Sequence, residues 1–302
     1  MPTICISGSQ GLIGKTLGKY LNQHRYQINE LDFLLPKNHV GFGDITQFEQ
    51  VKQAIRDCDG IIHLAAVSRV IWGEQAPEQC WQTNVIGTKN ILSAAYESAR
   101  KPWVLYASSR EVYGQQSYFP VTEEAPWQPI NTYARSKVAA EELVNQFESL
   151  GLTTAILRFS SVYGRIDDYQ DRVVPAFCKA AATGKVLRID GLDNTFDFTH
   201  VQDVADGIHQ AIRLLEQKKS LPTMHLTTGK GTTLLELAKL AISAGNSSSH
   251  FIEAPPRTFD VAQFYGDSSR AQQLLNWQPS IDIATGVQQL VADFIAQAQQ
   301  EQ

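Results

Sequence analysis

The stretch "ISGSQGLIG" (Ile6–Gly14) sets three glycines, Gly8, Gly11 and Gly14, between an apolar run and an amphipathic one. Before it, "TICIS" (3–7) reads as a strand buried on both faces. After it, "IGKTLGKYLNQH" (13–24) has the spacing of a helix. A chain passing from strand to helix in so few residues must turn sharply, which glycine permits. The same glycines let the backbone approach a pyrophosphate with no Cβ in the way, beside helix N–H groups that carry partial positive charge. Leu12 and Ile13 complete the loop. The spacing is G-x-x-G-x-x-G and not the strict G-x-G-x-x-G, so a plain tight turn is the competing reading. Two companions favour a dinucleotide. Asp32 ends a second strand in "INELDF" (28–33), 18 residues after Gly14. There a carboxylate accepts from a ribose 2′-hydroxyl and repels a 2′-phosphate, which selects NAD over NADP. Asp44 and Ile45 of "GDI" (43–45) then fall at the expected adenine pocket.

Beyond this loop, strand and helix patterns alternate. "DGIIHLAA" (59–66), "WVLYASS" (103–109) and "TTAILRFSS" (153–161) read as buried strands. "FEQVKQAIRD" (48–57), "NVIGTKNILSAAYESA" (84–99) and "SKVAAEELVNQFESL" (136–150) read as helices between them. The expectation is an α/β fold, a Rossmann-type doubly wound parallel sheet with a smaller C-terminal substrate-binding lobe. Residues 1–165 form the NAD-binding part, with a return segment near 198–228, and 166–302 are mostly the lobe. A helix is expected over "VVPAFCKAAATG" (173–184), and a last one over 286–300 whose polar tail frays.

The 302 residues are 43% hydrophobic and 19% charged, globular values. A net charge of -5 argues against a nucleic-acid partner. No apolar run approaches the roughly 18 residues of a membrane span, and the N-terminus enters a strand pattern without a signal peptide. Cys5, Cys58, Cys80 and Cys178 are scattered, as are the seven histidines, so reduced thiols of a cytoplasmic protein are expected and no metal centre.

"NTYARSK" (131–137) sets Tyr133 and Lys137 on one face of a helix. A phenol with a pKa of about 10 is a poor base at neutral pH, and an ammonium one turn away together with a nicotinamide ring would lower that value. The pair alone is common on surface helices; with the glycine loop upstream and Ser109 ending a strand 24 residues earlier, the combination is far more specific.

On these residues, with "HLAA" (63–66), "NVIGT" (84–88), "SSREVYG" (108–114), "LRFSSVYG" (157–164), "FDFTHVQDVADGI" (196–208), "PPRTFDV" (255–261) and "LLNWQPS" (274–280), the chain resembles an extended short-chain dehydrogenase/reductase of the NAD-dependent sugar epimerase/dehydratase family. The resemblance runs from Ile4 to about residue 290. It implies Tyr133 as the base, Lys137 as its partner and as a ligand of the nicotinamide ribose, and Ser109 as the hydroxyl that holds the reacting oxygen. It also implies that Leu64, Ala65, Ala66, Asn84 and Ser108 line the cofactor. The substrate it implies is a nucleotide-sugar, oxidised transiently at C4. A homodimer packed through helices 84–99 and 134–150 is expected on the same ground.

Two departures bear on the reaction. Family 4,6-dehydratases carry two acids where this chain has Arg110 and Glu111. Arginine cannot act as a general acid, so dehydration is disfavoured, while Glu111 keeps a decarboxylase reading alive; a local ion pair at the pocket rim is the plain alternative. The family arginine that grips the diphosphate is here Phe196, a loss of roughly 1.5–3 kcal/mol unless replaced. Arg257 matches the second family arginine, and Arg165, Arg172 or Arg188 are candidate replacements. Phe196 itself either stacks on a base or packs in the core. Ser161 stands where relatives have a substrate-contacting asparagine. The leading expectation is a nucleotide-sugar 4-epimerase. Behind it stand a dehydratase or decarboxylase using Glu111, an NAD-dependent dehydrogenase of a non-nucleotide substrate, and a non-catalytic NAD-binding regulator.

Overall fold

The computed structural model describes residues 1–245, 248–257 and 261–300. Six parallel strands form the central sheet: β1 (Thr3–Ser7), β2 (Gln27–Leu31), β3 (Gly60–His63), β4 (Trp103–Ser109), β5 (Thr154–Phe159) and β6 (Met224–Leu226). Their order is β6-β5-β4-β3-β1-β2. The chain leaves β1 for the edge strand β2 and crosses back to β3 on the other side of β1. This reversal opens a crevice at the carboxyl ends of β1 and β3, the place where open α/β sheets bind ligands.

Every residue of β3, β4 and β5 is buried, as expected of strands covered on both faces. One apolar core joins the sheet to the helices Leu12–Gln23 and Val201–Leu215. A second lies under Phe48–Ile55, Gly87–Glu97 and Thr132–Ser149. A third gathers Val173–Ala182, Leu234–Ala244 and Ile283–Gln300 around Phe177, Phe198 and Phe294.

Three elements depart from the sequence expectation. The run read as one strand over 153–161 stops at Phe159, and Ser161–Tyr163 pairs instead with Phe198–His200. This second pairing ties the return segment to the crevice. The helix expected from residue 84 begins as a π-turn, Gln82–Ile86, before its regular part Gly87–Glu97. The terminal helix does not fray within the described residues; it runs from Ile283 to Gln300.

Candidate active site

Gly8 adopts φ +78°, and a Cβ built on it would lie 2.6 Å from the Ala65 amide nitrogen. At Gly14 such an atom would stand 2.2 Å from the Gly8 carbonyl oxygen, so the helix presses directly on the loop. Gly11 has only that carbonyl nearby, at 3.4 Å, and no side chain caps the helix that begins after it. The first-turn amides are therefore left to a ligand in the crevice. At the end of β2 the Asp32 carboxylate accepts from the Gln10 N–H at 2.8 Å and from the Leu34 N–H at 2.9 Å. Those bonds lock it on the crevice wall, where a ribose diol can donate to it. The cradle fits an NAD pyrophosphate and adenosine ribose.

The crevice is about 1040 Å³. Its walls include Gly8, Gly11, Leu12, Ile13, Gly14, Asp32, Asp44, Ile45, Leu64, Ala65, Ala66 and Ser108 at the dinucleotide end. Ser109, Arg110, Glu111, Tyr133, Lys137, Ser161, Arg188, Phe196 and Arg257 stand around the other end. Asn84 is the exception. It is buried behind the wall, where its amide accepts from the Val67 N–H at 2.8 Å and donates to the Ser136 hydroxyl at 2.8 Å. It braces the crevice and does not line it, because the π-turn carries its side chain toward Val67.

Two local signals build the reacting centre. Asn131 caps the helix Thr132–Ser149 by accepting from the Ala134 N–H at 2.8 Å. The buried face of that helix then runs through Tyr133, Lys137, Ala140, Glu141 and Val144, an i, i+4, i+7 stripe. Strand β4 ends at Ser109, whose hydroxyl caps the following 3-10 turn by accepting from the Glu111 N–H at 3.2 Å. Ser109 and Tyr133 line the same end of the crevice. Lys137 donates to the Ala107 carbonyl at 2.7 Å, and its nitrogen lies 5.9 Å from the Tyr133 ring centroid.

The protein by itself does not lower the phenol's pKa; the expected lowering relies on the nicotinamide ring together with Lys137. Burial pushes Tyr133 up to about 12, opposed first by the hydrogen bond from Ser109. Lys137 spends its ammonium on a carbonyl and is itself pushed down to about 8 by burial. Unfolded lysine titrates near 10.4, so between those two values the unfolded chain binds more protons and stability rises with pH. Below pH 8 both states are charged and the slope vanishes. From pH 8 to 9.5, urea unfolding of the cofactor-free protein should gain of order 1–2 kcal/mol relative to Lys137→Met. Parallel pH profiles for the two proteins would contradict this.

Arg110 and Glu111 are ion-paired at 3.0 Å, as one reading of the sequence had it, but not at the rim: their side chains are 12% and 7% exposed. The second Glu111 oxygen accepts from Asn131 at 3.1 Å. Phe196 packs edge-on to Phe198, and the Arg110 guanidinium lies 4.6 Å from its ring centroid. Of the candidate replacement arginines, Arg165 pairs with Asp167 outside the crevice. Arg172 reaches Asp168 at 3.7 Å. Arg188 and Arg257 share Asp190, at 2.8 and 3.5 Å. Of "PPRTFDV", residues 258–260 lie outside the described residues.

Sequence reasoning missed a layer behind the site. Glu141, one turn beyond Lys137, is bound by Arg158 at 2.9 and 2.6 Å and accepts from the Ser108 hydroxyl at 2.5 Å. Its place four residues after Lys137 on the buried face was the available signal. Also missed was a strap over the crevice: Asp171 pairs with Arg69, and Tyr169 meets Trp72 edge-on at 4.8 Å.

This combination of a glycine-cradled crevice at the reversal of strand order with a serine, a tyrosine and a lysine at its floor has a counterpart among known proteins. The chain belongs to the NAD dependent epimerase/dehydratase family, whose model matches residues 4–224. It is an NAD-dependent enzyme. It is 30% identical over 308 residues to UDP-glucose 4-epimerase of Mycolicibacterium smegmatis, covering 96% of this chain and 97% of that one. It is 29% identical over 301 residues to a putative UDP-glucose 4-epimerase of Methanocaldococcus jannaschii, covering 95% and 97%. Among solved structures, UDP-glucose 4-epimerase of Brucella ovis in complex with NAD superposes with a TM-score of 0.88 at 25% identity, covering 98% of this chain and 99% of that one.

Proposed function

We propose that the protein is a 4-epimerase of a nucleotide-activated sugar, with UDP as the nucleotide its relatives point to. The observation that carries this reading is the gathering of Ser109, Tyr133 and Lys137 on one wall of the dinucleotide crevice, beside an Arg110–Glu111 pair unsuited to acid catalysis. NAD, held by Gly8, Gly11, Gly14 and Asp32, would supply the acceptor and donor of a hydride at the sugar carbon and a positive charge in its oxidised form. Tyr133, as phenolate, takes the proton of the sugar hydroxyl; Ser109 holds that oxygen and relays the hydrogen bond. Lys137, pinned on Ala107, contributes positive charge to the phenolate. The transient 4-keto sugar then presents its other face, and Tyr133 returns the proton to the new alcohol oxygen. Arg188 and Arg257 stand at the outer end, where they suit a diphosphate.

Glu111 is held on both oxygens and Arg110 has no proton to give. This supports a ketone that is simply reduced back over one that loses water or carbon dioxide. Incubation of the protein and NAD with UDP-, dTDP- and GDP-sugars, followed by proton NMR, should yield a C4 epimer of at least one UDP-sugar. Loss of water or carbon dioxide instead would sink the reading.

Asp32 is proposed as the ribose ligand. Asp32→Asn should weaken NAD binding about tenfold and narrow the gap to NADP, measured by calorimetry; unchanged affinities would remove Asp32 from the role. The four cysteines are free and buried, which suits a reducing cytoplasm, and no described helix is long and apolar enough to cross a membrane. A homodimer through the helices Gly87–Glu97 and Thr132–Ser149 is part of the proposal; sedimentation as a monomer at micromolar concentration would reject it.

A further inference from the structure

Residues 165–172 leave Gly164, which adopts φ +127°, and end where the helix Val173–Ala182 begins. Among the described residues their backbone hydrogen bonds run only within the segment or into that helix. Asp168 N–H reaches the Arg165 carbonyl at 3.5 Å, and Arg172 N–H that of Tyr169 at 3.0 Å. No ladder ties the segment to a sheet, so its side chains decide where it lies. Ile166 packs on the third apolar core and anchors the base.

From that base the segment crosses the crevice from rim to rim. On the glycine-loop side the Lys15 ammonium, next in the chain to Gly14, meets Asp167 at 2.9 Å, and Arg165 holds the same carboxylate at 2.7 Å. On the opposite side, beyond Ala66, Asp171 pairs with Arg69 and the Tyr169 ring meets Trp72 edge-on at 4.8 Å. Arg172 donates to the Ser68 hydroxyl there at 3.3 Å. Arg69, Trp72, Tyr169 and Asp171 line the crevice, so the span passes over the space a dinucleotide fills. Its two outer carboxylates, Asp167 and Asp171, are 40% and 69% exposed. Exposed ion pairs and a single aromatic contact are each weak, so the span closes firmly enough to hinder passage and lightly enough to open. Gly8, Gly11, Gly14 and Asp32, which suit the dinucleotide itself, take no part in these contacts.

We propose that residues 167–172 form a latch across the dinucleotide crevice that controls the exchange of NAD, opening when the Lys15–Asp167 and Arg69–Asp171 pairs and the Trp72–Tyr169 contact part. The latch slows entry and exit alike. Its contacts join protein to protein and re-form whether or not the cofactor is in place, so it sets the rates of exchange and leaves the affinity nearly unchanged. This inference needs no sugar and goes beyond the reading above.

The test loads the protein with radiolabelled NAD, chases it with excess unlabelled NAD, and measures the release rate beside the equilibrium Kd. In Asp167→Asn/Tyr169→Ala/Asp171→Asn release should quicken roughly tenfold, with entry quickened by a similar factor and Kd within about threefold of wild type. Raising the salt concentration screens the two ion pairs, so release from the wild type should quicken more than release from the variant; the wild-type arm alone serves if the variant does not fold. Release that is unchanged in the variant, or in the wild type indifferent to salt, would overturn the proposal. Faster release with Kd raised in proportion and entry unaltered would overturn it too, because the segment would then bind NAD instead of gating it. No turnover enters the measurement, so its outcome stands apart from whether a sugar is epimerised.

Discussion

Tyr133→Phe should lower turnover roughly 10³-fold, within the range general acid–base catalysis contributes, while NAD stays bound. The substitution removes one oxygen from a side chain that is 7% exposed and leaves the ring to pack as before. Ser109 keeps its position because its hydroxyl also accepts from the Glu111 N–H. What disappears is the group that takes and returns the substrate proton in this account. Burial holds that phenol up near 12 in the protein alone, so its activation must come with the bound cofactor's charge. Rates should accordingly rise with pH below neutrality's alkaline side rather than plateau in acid. Turnover within threefold of wild type in steady-state assays would remove Tyr133 from the mechanism.

The second large effect is on stability. Arg158→Met should cost about 3–5 kcal/mol in chemical unfolding, as breaking a buried ion pair from one side does. Glu141 is fully buried and Arg158 is 3% exposed at its side chain. Their two bonds, at 2.9 and 2.6 Å, leave no water to take over when the guanidinium goes. Arg158 also donates to the Tyr113 hydroxyl at 2.5 Å. Arg158→Met/Glu141→Leu removes both charges and should recover a large part of the loss, since the penalty lies in the stranded carboxylate. A single variant within 1 kcal/mol of wild type would show that the pair does not anchor the layer behind Lys137.

The parts of this site that the sequence displayed are those encoded by local spacing. Gly8, Gly11 and Gly14 are legible because a strand–turn–helix passage demands them within seven residues. Tyr133 and Lys137 are legible because four residues make one helical turn. The parts it hid depend on partners far along the chain. Asn84 reads as a crevice residue until the π-turn carries it to Val67 and Ser136. Phe196 reads as a lost arginine, and only the fold brings Arg110, 86 positions earlier in the chain, over its ring. Arg158 and Glu141 looked like ordinary strand and helix charges, because nothing local reveals that β5 and the helix Thr132–Ser149 bury them against each other. Even the phenol's pKa follows this rule: the one-turn spacing was right, but the direction of the ammonium was set by the Ala107 carbonyl.

The central claim is that a hydride leaves C4 of the sugar and returns to the same carbon on its other face within one active site. The most direct test supplies UDP-glucose deuterated at C4 to the NAD-loaded enzyme in ordinary water. The account predicts a C4 epimer that retains its deuterium at C4 in proton and deuterium NMR spectra. An epimer that has exchanged that deuterium for solvent hydrogen would mean inversion by proton abstraction from carbon, and would contradict the account.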